Sequence, residues 1–189
     1  MQREIDSYRE KNFTGKEARL FKEWELIDQR CENDERVKYI IRKRNVEGLP
    51  MAYDIIFNIK SIIGVEEPDA QGLQRPIFGN KHIMRITLPN NYPEIDGCPK
   101  FNFISDVWHP NVRYHGEYKG RISSLLGLNM ENITNYLVDY IDVIISWLTY
   151  EMYLAKNEWP YPLDYEVARW IIEQAEPQGW IPFEQEEKR

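Results

Sequence analysis

Apolar side chains recur along this chain with two different periods. From Thr14 to Arg30 they fall three and four apart, at Leu20, Phe21, Trp24 and Ile27, the stripe of an amphipathic helix. Thr14 and Glu17 stand in capping-box register ahead of it, which predicts a helix start there. From residue 36 the period drops to two. RVKYIIRKRN (36–45), AYDIIFNIKSIIG (52–64), KHIMRITLP (81–89) and PKFNFIS (99–105) alternate through Tyr53, Ile55, Phe57 and Ile59, then His82, Met84 and Ile86, then Phe101 and Phe103. Alternation of this kind marks strands with one buried face. The stretch between the second and third strands, VEEPDAQGLQRPIFGN (65–80), is rich in turn residues and reads as a loop. Four strands in succession with no helix between them predict an antiparallel meander.

The period of 3.6 returns after a long irregular stretch from about 104 to 130. Ile133, Leu137, Ile141, Ile144 and Leu148 fall on one side of a helix that starts after Asn132 or Thr134. WPYPL at 159–163 breaks the pattern, because proline removes a donor and clashes with the preceding turn. DYEVARWIIEQ then reads as a last short helix opened by Asp164. The expected order is helix, four strands, loop, helix, helix, an α+β domain. The polar segment 1–13 reads as an arm, 14–183 as one domain and 184–189 as a charged tail.

Composition narrows the function classes. The 189 residues are 42% hydrophobic and 13% aromatic, enough for a real core and unlike a disordered chain. A formal charge of −7 argues against general nucleic-acid binding, which neutralises phosphates with Lys and Arg. The longest apolar run, VIISWL at 143–148, is too short to span a bilayer. The charged opening is unlike a secretory leader. Two cysteines, Cys31 and Cys98, stand apart from any metal-ligand spacing. No metal or cofactor is expected, and a cytoplasmic, disulfide-free protein is.

The irregular stretch carries the candidate chemistry. LPNNYPEIDGCPKFNFISDVWHPNV (88–112) holds Tyr92-Pro93, Pro99 and His109-Pro110-Asn111 in order, and Pro162-Leu163 follows downstream. Each motif alone is weak, and His-Pro-Asn by itself would read as a plain turn. In register on these elements, from about residue 16 to 172, they resemble the ubiquitin-conjugating enzyme family. The resemblance implies the UBC fold, a ubiquitin-like modifier carried as an acyl group, an activating enzyme as donor and a protein target as acceptor. It implies that the first helix, with Lys16, Arg19 and Lys22, meets the activating enzyme. In that family a cysteine ends a glycine-x-isoleucine-cysteine motif after His-Pro-Asn. Gly120-Arg121-Ile122-Ser123 has that form, with four extra residues in RYHGEYKG (113–120) and serine in the cysteine's place. The family's tryptophan-serine-proline ligase loop is replaced by LGLNMENIT (126–134). Such divergence looks like a prokaryotic relative.

A serine hydroxyl is far less acidic than a thiol and needs a neighbouring base to attack an acyl carbonyl. By resemblance Asn111 is the oxyanion-stabilising amide and His109 a structural partner. His115, brought in by the insert, is a candidate base. Three readings of Ser123 stay open: an oxyester-forming nucleophile, a remnant in a non-catalytic module that binds a modifier or partner enzyme, or a serine put in place of cysteine to trap an acyl intermediate. An adaptor of the related RWD type shares the Tyr-Pro loop and lacks His-Pro-Asn.

Overall fold

The helical stripe and the alternating strands close on one another. In a computed structural model, which describes residues 4–94, 96–122, 136–158 and 161–182, a one-turn helix α1 (Asp6–Arg9) precedes α2 (Gly15–Asn33). Thr14 is the extended N-cap of α2, and its side chain makes no capping hydrogen bond, so the capping box read from the sequence does not form. Leu20, Trp24 and Ile27 are buried from that helix as the stripe requires. The opening residues, polar as they read, also supply the core. Ile5 is buried, Tyr8 lies edge-on to Trp24 at 5.2 Å, and Phe13 packs on Phe21 at 5.4 Å.

The sheet is antiparallel in the order β1 (Val37–Arg44), β2 (Pro50–Phe57), β5 (His82–Thr87), β6 (Lys100–Phe103). Its register lines up Tyr39, Ile55, Met84 and Phe103 across all four strands. That row, with Val37, Phe57, Tyr53 and Ile86, forms the core against α2 and against α3 (Leu137–Leu148). On the opposite face the next row runs Ile40, Asp54, Arg85, Asn102. There Arg42 and Arg85 clamp the buried Asp54 carboxylate at 2.6 and 2.7 Å, and their hydrogen bonds and charge hold it below its ordinary pKa.

The structure departs from the expected meander between β2 and β5. AYDIIFNIKSIIG is two strands, because the chain leaves the sheet at Asn58, whose N–H bonds back to Arg36. Ser61–Val65 (β3) then pairs with Pro76–Gly79 (β4) as a separate two-stranded sheet. The segment read as a loop therefore carries a strand, one whose first residue, proline, and last, glycine, disguised it. This hairpin is tied to the C-terminal helix α4 (Tyr165–Trp170), where Trp170 Nε1 donates to Gln74 O at 2.9 Å. α4 is opened by Asp164, whose side chain accepts from Val167 N, and it runs on into one turn of π-helix, Ile171–Ala175. Ile62, Trp108, Tyr150, Val167, Trp170 and Ile171 make a second apolar cluster there. Among the described residues no helix is long and apolar enough to cross a membrane.

One polar knot joins the first helix to the rest. Glu23, on the apolar side of α2, is fully buried. Its carboxylate pairs with Arg19 at 2.7 Å, accepts the Tyr92 hydroxyl, and accepts Leu137 N at the start of α3 at 2.7 Å. Arg19 in turn lies over the Tyr136 ring at 4.2 Å. Of the three cations read as a partner-facing set, Arg19 thus faces inward. Lys16 reaches Asn90 O, and Lys22 pairs with Glu25 at 3.0 Å.

Candidate functional site

His109-Pro110-Asn111-Val112 is a β-turn, closed by Val112 N donating to His109 O at 2.9 Å. Proline second and asparagine third suit such a turn, since proline presets φ and asparagine tolerates the bridge and left-handed regions. The turn is itself buried and clamped on two sides. Pro110 O accepts both Leu163 N, at 2.8 Å, and Asp164 N, at 2.9 Å, so the Pro-Leu segment before α4 sits directly on it.

The other clamp comes from the chain leaving α3. His109 is fully buried, stacked on Trp147 at 5.2 Å and 14° and edge-on to Tyr150 at 5.2 Å. Its Nδ1 accepts from Asn111 N at 3.2 Å, which makes Nε2 the protonated nitrogen, donating to Met152 O at 3.2 Å. Burial pushes the imidazole pKa down to about 3, so it stays neutral at physiological pH and has no free nitrogen. His109 is a structural group and not a base.

Asn111 is also fully buried. Its Oδ1 accepts Leu154 N at 3.0 Å, while Nδ2 has no hydrogen-bond partner among the described residues. The carboxamide is thus fixed by its oxygen, with a solvent-shielded NH₂ that makes no hydrogen bond to a described residue. An unmade bond of that kind in a folded protein costs roughly 1–3 kcal/mol.

Tyr150 shapes this clamp. It has φ +57°, the only described non-glycine residue in the left-handed region, where a bulky side chain costs about 1–2 kcal/mol. Tyr150 N donates to Trp147 O and Glu151 N to Ser146 O, both at 3.0 Å. This is the Schellman closure of a helix, usually built on glycine.

After the turn, the insert 113–121 folds back on itself. Arg113 N donates to Arg121 O at 2.8 Å, Gly120 N to Arg113 O at 2.7 Å, and Val112 bridges Ile122. Gly120 is indispensable to this return: at φ +84°, a Cβ there would lie 1.9 Å from Phe103 O. The insert rests on Trp108, whose ring meets Tyr114 at 4.6 Å and His115 at 5.9 Å. Tyr114 also donates its hydroxyl to Ile63 O and its N–H to Asp164 Oδ2, both at 2.9 Å.

The sequence candidates are thereby sorted. His109 and Asn111 share one buried turn. His115 is half-exposed, with Nδ1 3.7 Å from Asp164 and 3.6 Å from Glu166. Ser123 lies outside the described residues, directly after Ile122 in the chain. The sequence reading passed over Met152 O and Leu154 N, and it gave Asp164 only the opening of the last helix and Tyr150 only a packing role. Backbone atoms 43 residues away from Asn111 leave no linear signal, but the aromatic run Trp147, Tyr150, Tyr153 could have marked the wall. Among the described residues no cluster of side chains fits a metal ion.

No family model matches the sequence, and no curated protein does. Solved structures do match. One, described as a "putative ubiquitin conjugating enzyme from Plasmodium yoelii", shares 20% identity with a TM-score of 0.53, covering 87% of this chain and 90% of the other. With its four-stranded antiparallel sheet and flanking helices, this chain has a ubiquitin-conjugating-type (UBC-like) fold.

Proposed function

We propose that the protein is a conjugating enzyme for a ubiquitin-like modifier and that Ser123 carries the modifier's C-terminus as an oxyester. The observation that carries this reading is Asn111: its oxygen is tied to Leu154 N and its NH₂ is unpaired. It stands one residue before Val112, the partner of Ile122, and Ser123 is the residue after Ile122. In the reaction the Ser123 hydroxyl attacks the thioester carbonyl held by an activating enzyme, its proton passes to a base, and the thiolate leaves. The Asn111 NH₂ donates to the oxyanion of the intermediate. An amine on the target then displaces the serine oxygen, which takes back a proton.

A serine nucleophile also requires a base. His109 is neutral with both nitrogens engaged. His115 has two carboxylates near its Nδ1, at 3.6 and 3.7 Å, and is the described imidazole with a nitrogen left for proton transfer near the start of the 113–121 segment. A second reading, a non-catalytic module that binds modifier or partner enzyme, draws on the same fact, since a serine without a base is a poor nucleophile.

Incubation with modifier, activating enzyme and ATP separates the two. The catalytic reading expects an adduct that survives thiol reductant and is cleaved by hydroxide. Ser123→Ala abolishes it, and Ser123→Cys converts it to a reductant-sensitive thioester. An adduct unchanged in Ser123→Ala, or none with the wild type, rejects the oxyester.

A further inference from the structure

Both polar side chains of the buried turn are held by one short segment. Met152 O takes the His109 Nε2 proton, and Leu154 N holds Asn111 Oδ1. That segment leaves α3 through Tyr150, the residue whose φ of +57° turns the chain. Glycine would adopt this conformation without strain. A fully buried tyrosine stands there instead, its ring 5.2 Å from His109 and 6.0 Å from Tyr153. Trp147 stacks on the same His109 ring, so that ring meets two aromatic neighbours. A bulky ring standing at an unfavourable backbone angle points to a role for the ring itself.

We infer that Tyr150 is a positioning residue: its left-handed backbone aims residues 152–154 at the turn, and its ring fixes His109, so that the Asn111 carboxamide is locked with Oδ1 bonded and Nδ2 open. The chain of contacts is continuous. Tyr150 braces His109, His109 Nδ1 orders Asn111 N, and Leu154 N sets the amide's orientation. The catalytic consequence rests on the proposed oxyanion role of Asn111, whereas the locking itself does not.

Nitrogen-15 NMR of the full chain reads the locking directly. In the wild type, His109 shows a neutral Nε2–H tautomer, and the Asn111 NH₂ pair, separate as in any primary amide, lies away from the shifts of a free asparagine and exchanges slowly with water. Tyr150→Phe keeps the ring and preserves both signatures. Tyr150→Leu removes it, and the Nε2–H then exchanges at least about tenfold faster, by local opening of the clamp, while the NH₂ pair moves to the shifts of a free asparagine. A Tyr150→Leu protein with native sheet resonances and both signatures intact overturns the inference, as does a Tyr150→Phe protein that loses them. If Tyr150→Leu does not fold, the wild type decides: an Asn111 NH₂ pair at free-asparagine shifts with unprotected exchange rejects the lock. Absence of any oxyester adduct would sink the proposed function and leave these signatures untouched.

Discussion

His109 is the clearest case of what one residue's surroundings do. Burial against Trp147 and Tyr150 pushes its pKa down to about 3, against about 6.5 for an unfolded histidine. Below pH 6.5 the unfolded chain takes up a proton that the folded one refuses, so stability is present above that pH and is lost as pH falls toward 3. At pH 5 the loss is roughly 2 kcal/mol relative to pH 7.5. Chemical denaturation at both pH values checks it: His109→Gln, which cannot titrate, is expected to be less stable at pH 7.5 and to lose about 2 kcal/mol less on acidification. Asn111→Asp tests the neighbouring amide. It preserves size and the acceptor for Leu154 N but replaces the open donor with a carboxylate oxygen. Adduct formation on Ser123 is expected to fall by about 100-fold or more, the usual cost of losing an oxyanion donor, and equal rates would contradict the assigned role. At this scale the sequence was informative about identity and not about state. His-Pro-Asn is legible as a motif, but the neutrality of His109 depends on rings about 40 residues away.

Among elements, the insert and the knot at Glu23 carry the tests. Gly120→Ala places a methyl against Phe103 O at a φ that alanine resists. It is expected to open the 113–121 hairpin, visible as lost amide protection at Gly120 and Arg113 with the main sheet intact. Glu23→Ala removes the acceptor that Tyr92 OH and Leu137 N share in a buried place and the carboxylate that pairs with Arg19, and a cost of about 3–5 kcal/mol in denaturant unfolding is expected. A change under 1 kcal/mol would mean that the knot is not a structural tie. The helix α2 and the four main strands were legible because the apolar period survives in the sequence, even in β2, which is buried on both faces. The β3–β4 pair was not. Ser61–Val65 joins an apolar run to β2 with only Asn58–Lys60 between them, and its partner is four residues that begin with proline and end with glycine. Their pairing depends on Trp108 and Trp170, which lie far along the chain.

Across the whole molecule, two short hairpins gather at one end. The β3–β4 hairpin and the 113–121 return meet through Tyr114 and Ile63, and both pack with α4 around Trp108. They lie beside the buried turn that holds Asn111. The account therefore stands or falls on whether residue 123 still accepts an acyl group. The most direct measurement is intact-mass analysis of the protein after incubation with modifier, activating enzyme and ATP in the presence of thiol reductant, followed by peptide mapping. The account predicts a mass gain of one modifier less one water, removed by hydroxide and mapped to the peptide containing Ser123. No mass gain, or a modifier mapped to a lysine or to Cys31 or Cys98 and retained in Ser123→Ala, would contradict it.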